Sequence, residues 1–173
     1  MDFRQAPHPS ELSWLSPKGF GKTKTAAATY GGKKIVLQTP QCKTRVFKDP
    51  RSTTLYLSLS GNVGEEFHTF VDSYEKYASG LPHAENIELS SCLRNGSLRL
   101  TAWDDVQWFD TDGTFLKEAP KSIDSCMCTV EFGGCWVTDQ KWGLRWSIKQ
   151  IRLVETSPYA EPRQKVAEYA FLE

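Results

Sequence analysis

Short stretches in which apolar and polar residues alternate dominate the second half of the chain. Residues 97–103, SLRLTAW, place apolar side chains on one side and polar ones, with a tryptophan, on the other, because successive side chains of a strand point to opposite faces. Residues 111–113, Thr-Asp-Gly, separate two further β-forming stretches and are typical of a tight hairpin. The longest alternating stretch is 144–155. The sequence therefore predicts a mainly β domain built from antiparallel strands.

One helical pattern interrupts the strands. Before it, residues 33–39 and 55–60 have the composition and alternation of strands. Residues 65–79 instead repeat aromatic residues at helical spacing, and begin with two glutamates, which the N-terminal end of a helix favours. A single helix inserted among short strands favours an OB-type barrel of five antiparallel strands, or a slightly elaborated one. Strand periodicity by itself leaves a β-sandwich open.

The chain divides into three parts by composition. Residues 1–31 are rich in proline and glycine without a sustained period, which predicts a flexible, extended N-terminal arm. Residues 32–156 hold the predicted strands and helix and are assigned to the OB-type domain. Residues 157–173 are polar and interrupted by proline, and are assigned to a C-terminal tail in which 163–169 could form a short helix.

The compartment is inferred from what the sequence lacks and from its cysteines. The first residues do not combine a basic segment with an apolar one, so no secretory signal is expected. No apolar run approaches the roughly 20 residues of a membrane-spanning helix, so no membrane partner is expected either. An odd number of irregularly spaced cysteines predicts reduced thiols in a reducing, intracellular compartment. The cysteines are Cys42, Cys92, Cys126, Cys128 and Cys135.

No residue pattern indicates catalysis, a metal centre or a bound cofactor. The three histidines are far apart and lack the spacing of a metal-binding pair. A single residue separates Cys126 from Cys128, less than the roughly two to four residues of structural zinc sites, so both are expected in the core. The aspartates of 104–112 fall at predicted turns, where aspartate is common for backbone reasons. We therefore expect no enzymatic activity; a magnesium-dependent nuclease that uses these aspartates is an alternative.

The net charge is zero, but the charges are unevenly distributed along the chain. Residues 1–64 contain ten basic and three acidic side chains, and residues 134–153 contain four basic and one acidic. Separated charge of this kind can create a positive field along one groove of a neutral protein. The pattern predicts that the cations of 18–51 and 141–152 meet in the fold, with ordinary scatter over a solvated surface as the alternative.

Strand alternation separates the tryptophans of the second half. Trp146 shares a face with apolar neighbours and is assigned to the core. Trp103 shares the opposite, solvent-facing side of its strand with Arg99. Trp142 follows Lys141 in a predicted hairpin turn and is expected to be exposed. An exposed ring beside a cation suits a nucleotide base that stacks on the ring while the cation contacts a phosphate.

These features together are the profile of a protein that binds single-stranded nucleic acid. Trp103 and Trp142 are predicted to stack on bases. The cations predicted to contact phosphates are Lys33, Lys34, Lys43, Arg45, Arg99, Lys141, Arg145 and Lys149. Exposed aromatic residues also mark protein interfaces. A virion or scaffold interaction domain on a β-barrel or sandwich is therefore the alternative.

Residues 128–155 resemble the closing hairpin of a known family, the single-stranded DNA-binding proteins of large eukaryotic DNA viruses. Residues 33–43 look like the first strand of that family. The order of the elements is also similar to that of the OB-fold replication proteins of short-tailed phages. The motifs that carry the resemblance are Gly134-Cys135-Trp136, Lys141-Trp142-Gly143 and Trp146-Ser147-Ile148-Lys149-Gln150.

The resemblance implies an OB fold and binding of single-stranded DNA without sequence specificity, in viral or phage-type replication, recombination or repair. The expected partners are single-stranded DNA, with RNA left open, and replication proteins. The oligomeric state is left open, a dimer included. A viral protein of this kind would act in the host cytoplasm or nucleus. The tail has too few acidic residues to match the strongly acidic tails of the phage relatives.

Overall fold

The computed structural model of the chain describes residues 1–154. The predicted tail, 157–173, and the short helix considered at 163–169 lie outside the described residues, as does the predicted end of the domain at residue 156. No helix within residues 1–154 is long and apolar enough to cross a membrane.

Strands account for most of the regular structure of the described residues. Residues 1–154 contain one α-helix, α1 (Gly61–Ser79), and short 3₁₀ helices at Phe3–Gln5, Pro9–Glu11 and Pro82–Ala84. The strands, in chain order, are β1 (Ser13–Trp14), β2 (Lys24–Ala26), β3 (Ala28–Thr29), β4 (Ile35–Gln38), β5 (Cys42–Lys48), β6 (Ser52–Ser58), β7 (Glu88–Leu89), β8 (Leu93–Arg94), β9 (Ser97–Trp103), β10 (Gln107–Phe109), β11 (Phe115–Leu116), β12 (Ser125–Val137) and β13 (Lys141–Leu153).

Five strand units form the barrel. β4 and β5 follow one another along one edge of β12, both antiparallel to it. β5 pairs with β6, and β6 pairs with β9, again antiparallel. After a short turn, β10 continues the path of β9 and pairs with β13, which returns to β12 through a long antiparallel ladder. This circuit is the architecture of an OB-type barrel, and it confirms the predicted fold with one inserted helix.

Within the barrel circuit, one pairing differs from the antiparallel arrangement that the sequence predicted. β10 runs parallel to β13, with Trp108 opposite Ile151. The chain reverses direction between β10 and β11 and reverses again between β12 and β13. After these two reversals β13 runs in the same direction as β10. No local pattern records such a long-range pairing.

The core lies inside the barrel, where apolar residues of neighbouring strands face one another. Leu55 and Leu57 lie opposite Leu100 and Leu98 across β6 and β9, and all of them are buried. Burying one such side chain stabilises the fold by about 1.5–3 kcal/mol. A shift of register by one residue would move this whole set to the solvent side, so these leucines fix which residues face outward.

The helix α1 packs over the barrel with one apolar stripe. Phe67, Val71, Tyr74 and Ala78 are buried, at the spacing that one face of a helix requires. The helix begins at Gly61 rather than at the predicted residue 65. The prediction began later because glycine and asparagine at 61–62 favour a turn. Gly64 in the first helical turn is buried, and a Cβ atom on it would lie 2.6 Å from the backbone of Leu59, the residue after β6, so the helix start packs closely on the chain that leads into it.

Residues 1–31 do not form the extended arm without regular structure that their composition predicted. Phe3 is buried against Phe67 of α1, with ring centroids 4.9 Å apart. β2 joins the same edge of β12 that β4 and β5 occupy, and β3 pairs with β1. The prediction is wrong because proline and glycine here connect very short elements, each stabilised by distant parts of the chain.

Small residues permit this packing. Ala26 and Ala28 are buried where the segment crosses β12. At this crossing Gly134 has a φ of +97°, and a Cβ atom on it would lie 2.0 Å from the carbonyl oxygen of Ala26. Only glycine fits both this backbone conformation and this approach. Gly134, a member of the closing-hairpin motif, therefore anchors the N-terminal segment to the barrel.

Candidate nucleic-acid interface

The outward side of β5, β6 and β9 combines aromatic rings with cations, and is named the sheet face below. Residues that lie opposite one another across the three strands form rows on this face. Arg45 of β5 lies opposite Tyr56 of β6, which lies opposite Arg99 of β9. Phe47 lies on the same outward side in the next row, and Trp103 lies one row beyond Phe47. The core leucines of β6 and β9 fill the inward side, so these five side chains are left toward solvent.

Two of the three rings on the sheet face are exposed, and the third, Tyr56, is half-buried. Trp103 is 60% exposed and Phe47 is 57% exposed. The rings of Phe47 and Tyr56 meet edge to face, with centroids 5.5 Å apart. The guanidinium of Arg45 lies 5.9 Å from the centroid of Tyr56, within the range of a cation–π contact. Large exposed rings on a face that also carries cations are platforms on which another planar group can stack.

The cations of the sheet face are available for an incoming charge. Arg45 and Arg99 are exposed, and neither forms an ion pair within residues 1–154. Lys43 is exposed as well and lies on the same side of β5 as Arg45. The prediction from strand alternation that Arg99 and Trp103 share an outward face is confirmed.

A second group of predicted residues lies on the outward side of β4, β12 and β13 and is named the Glu131 patch. Lys34 contacts the Glu131 carboxylate at 2.8 Å, and Lys149 contacts the same oxygen at 3.7 Å. Arg145 donates a hydrogen bond of 3.3 Å to Thr25 Oγ1 in β2. The cations of 18–51 and 141–152 do meet in the fold, but around a carboxylate.

The charge state of Glu131 reflects its two lysine partners. Partial burial alone would raise the pKa of Glu131, but the hydrogen bond from Lys34 and the charges of Lys34 and Lys149 outweigh it. The pKa therefore lies below its ordinary value. Glu131 is ionised at neutral pH and partly neutralises both lysines.

Trp142 is the clearest error among the predicted site residues. Its side chain is 1% exposed, and its ring lies 5.8 Å from the ring of His83. β7 pairs with the start of β13 and places Leu89 opposite Trp142, so residues 82–89 cover the end of the hairpin. Trp142 therefore cannot stack on a base. Its turn looked exposed because nothing in the local sequence shows that a distant segment packs on it.

Two other predicted residues lie apart from both groups. Lys141 is exposed at the start of β13, 4.0 Å from the carboxylate of Glu88. Lys33 is exposed in a tight turn, where its backbone N–H donates to the carbonyl oxygen of Tyr30 and its own carbonyl oxygen accepts from the Tyr30 N–H. The prediction for Trp146 is better supported, since it packs against Phe132 of the core with ring centroids 4.6 Å apart.

Phe47 and Tyr56 were missed by sequence reasoning. The signal for Phe47 was present: it follows Lys43 and Arg45 at intervals of two residues, so the three share one face of a strand. Alternation within 55–60 puts Tyr56 on the face opposite the leucines, but no binding role was predicted for it. Their importance depends on the pairing of β5 with β6, which the sequence does not display.

The structure gives turn and core roles to the residues considered for chemistry. Asp112 accepts a backbone hydrogen bond from Thr114 within the predicted hairpin turn. Cys126 and Cys128 are buried with sulfur atoms 3.9 Å apart. The hydrogen bond with Cys126 and burial raise the pKa of Cys128. No group of three potential metal ligands occurs within the described residues 1–154.

Comparison with known proteins identifies a shared fold. No protein-family model matches the chain, and no curated protein sequence matches it. The single-stranded DNA-binding protein from bacteriophage Enc34 superposes with a TM-score of 0.51, over 90% of this chain and 98% of that one, at 9% identity. A second phage protein, gp2.5, a single-stranded DNA-binding protein encoded by bacteriophage T7, superposes more weakly. Its TM-score is 0.46, over 81% of this chain and 99% of that one, at 10% identity.

At 9% identity the Enc34 superposition shows the fold alone. It agrees with the predicted layout, which is similar to that of phage OB-fold proteins. The resemblance of the closing hairpin to proteins of large eukaryotic DNA viruses is not tested by these comparisons and stays a prediction.

Proposed function

We propose that the protein binds single-stranded DNA without sequence specificity, through the sheet face. The observation that carries this proposal is the exposure of Phe47 and Trp103 beside Arg45 and Arg99, cations that have no carboxylate partner within residues 1–154. Every base has a π-face, so stacking on such rings tolerates any sequence, while the arginines neutralise phosphates.

The position of the sheet face in the barrel supports the same function. OB-folds bind oligonucleotides on the face of their second and third strands. Here those strands are β6 and β9, which carry Tyr56, Arg99 and Trp103. The fold shared with the Enc34 single-stranded DNA-binding protein adds support of the same kind.

We place this binding activity in viral or phage-type replication, recombination or repair, where transient single strands need protection. The protein would act without catalysing a reaction and without a cofactor. RNA binding, recruitment of replication proteins and dimer formation belong to the same proposal. The likeness of the closing hairpin to eukaryotic viral proteins favours a site of action inside the host cell.

The proposal is tested by titrating a fluorescently labelled oligo-dT with the protein at two salt concentrations, beside a duplex of equal length. We expect preference for the single strand, and an affinity that falls with salt at a slope of about −0.7 per phosphate neutralised. Equal binding to duplex, or no binding at low salt, would overturn the proposal. A salt-insensitive complex with a protein instead would favour the interaction-domain alternative.

Trp103→Ala connects the result to the sheet face. Losing one stacked base, worth about 1–3 kcal/mol, lowers affinity about 5- to 150-fold. The matched control is Phe115→Ala, because Phe115 is also an exposed ring but lies on β11, outside the sheet face. Circular dichroism should show both variants folded. An equal loss of binding in both would argue against a specific role of the sheet face.

A further inference from the structure

The N-terminal part of the chain carries a concentration of positive charge that the sheet face does not use. Residues 12–48 contain eight lysines and arginines and no acidic residue. Two of the eight, Arg45 and Lys43, lie on or beside the sheet face. Four others lie in the two turns that precede β4, and these four form no ion pair within residues 1–154. They are Lys18, Lys22, Lys24 and Lys33.

The first turn is a hairpin of residues 18–25, named the finger below. Lys18 and Thr25 close it with two backbone hydrogen bonds, of 2.9 and 2.8 Å. Phe20 lies at its tip and is completely exposed, between two glycines. Gly21 has a φ of +88°, a conformation that L side chains rarely adopt, so the turn that presents the ring depends on glycine.

The base of the finger is fixed to the barrel. β2 pairs with β12, with Thr25 opposite Trp136, and Arg145 donates to the Thr25 hydroxyl. The close crossing at Gly134 holds the next residues, Ala26 to Ala28, against the same strand. A fixed base limits the conformations of the tip, so the finger presents one exposed ring together with Lys18, Lys22 and Lys24, the combination of groups that binds single strands by stacking and phosphate contact.

A second turn has the same character. Tyr30 and Lys33 exchange two backbone hydrogen bonds, of 2.8 and 3.1 Å, across Gly31 and Gly32. Tyr30 is 50% exposed, and the next residue, Lys34, belongs to the Glu131 patch. An exposed ring with adjacent lysines thus occurs at both turns, which matches the chemistry of the sheet face.

The strands β4 and β5 connect the two turns to the sheet face. β2 and β4 occupy successive positions along one edge of β12, so the base of the finger follows the start of β4 along that edge. Outward side chains then continue from Lys34 through Lys43 and Arg45 to Phe47. From Lys34 to Phe47 this path is at most about 43 Å, at 3.3 Å per residue. A single strand bound at the sheet face can follow it toward the finger.

We propose that the finger is a second contact for the same single strand, with Phe20 stacking on a base and Lys18, Lys22 and Lys24 contacting phosphates. This inference rests on the proposed function. It predicts a site longer than the sheet face alone, in which the finger takes part only when the oligonucleotide is long enough to reach it.

Two oligo-dT lengths separate the two contacts: about 8 nucleotides, enough for the sheet face, and about 30 nucleotides, well beyond the roughly 4–16 that one OB-fold covers. Phe20→Ala should bind the short oligonucleotide like the unmodified protein. It should bind the long one about 5-fold or more weakly, as loss of one stacked base predicts. Phe20 has no packing role, so circular dichroism and melting should not change.

The lysines are tested in the same way. The triple variant Lys18→Ala, Lys22→Ala, Lys24→Ala should reduce the salt slope by about 2 for the long oligonucleotide and leave the short one unchanged. Lys76→Ala is the control for a lysine lost from the surface, since Lys76 is exposed on α1 and paired with Asp72. This control should leave binding of both lengths unchanged.

The outcomes distinguish this inference from the proposed function. If the finger variants match the unmodified protein at both lengths, the finger contact is wrong and the sheet face stands. If they lose affinity equally at both lengths, a separate second contact is also wrong. If Trp103→Ala has no effect while Phe20→Ala weakens binding of the long strand, the sheet face is wrong and the finger stands. If the unmodified protein binds neither oligonucleotide, both are wrong.

Discussion

The sheet face and the Glu131 patch are both cationic surfaces on the outside of the same barrel, but their surroundings differ. On the sheet face, Arg45 has an aromatic ring as its neighbour. On the Glu131 patch, Lys34 and Lys149 both have a carboxylate as their neighbour. A cation beside a ring keeps its charge for a phosphate, whereas a cation beside a carboxylate must first lose that partner. Basic residues in the sequence therefore did not identify the site by themselves.

The largest expected effect comes from removing the exposed apolar groups of each surface. Phe47→Ala with Trp103→Ala should weaken binding of a short oligo-dT by at least about 30-fold, because two stacked bases lose about 2–6 kcal/mol. Val36→Ala is the matched variant on the Glu131 patch, where Val36 is exposed and lies opposite Glu131. It should leave short-strand affinity unchanged in a fluorescence titration. Similar losses in both variants would remove the distinction between the surfaces.

The second effect separates the cations of the two surfaces. Arg45→Gln with Arg99→Gln should lower the salt slope for short oligo-dT by about 1.4, since each arginine neutralises one phosphate. Lys34→Gln with Lys149→Gln removes the same charge but should change this slope little. The measurement is affinity over a series of salt concentrations. A larger slope change from the lysine pair would place the short-strand site on the Glu131 patch.

Much of the fold followed from alternation within single strands. Alternation within 97–103 predicted that Leu98 and Leu100 share the apolar side of β9 and that Arg99 and Trp103 share the opposite side, and the structure agrees. The sequence also predicted that Cys126 and Cys128 lie in the core, and both are buried. Such predictions succeed because the side-chain period of a strand depends only on the backbone.

The errors all involve contacts between distant parts of the chain. Trp142 is buried because residues 82–89 fold over it, and residues 1–31 are structured because they pack on α1 and β12. The neutralisation of Lys34 by Glu131 joins residues that are likewise far apart. Composition and periodicity describe neighbours in sequence, so they could not reveal which surface would keep its charge.

The smallest expected effect tests whether Glu131, by pairing with Lys34 and Lys149, weakens their contact with DNA phosphates. Glu131→Gln removes the carboxylate and should raise affinity for a long oligo-dT about 2- to 5-fold at low salt, the scale of an exposed ion pair. The gain should disappear at high salt, because screening weakens both the pairing and the phosphate contact. Lower affinity after this substitution would mean that the carboxylate positions the lysines for binding rather than neutralising them.

Acid unfolding measures independently how much the ion pairs of Glu131 stabilise the fold. Because Lys34 and Lys149 hold the pKa of folded Glu131 below its ordinary value, its ion pairs stabilise the fold above the unfolded-state pKa of about 4.3. This contribution is lost as the pH falls through the lower, folded-state pKa. The free energy of unfolding of Glu131→Gln should therefore fall less steeply over that interval than that of the unmodified protein. Identical acid profiles would show that the lysines hold no significant interaction with Glu131, and the contrast between the two surfaces would then rest on the aromatic rings alone.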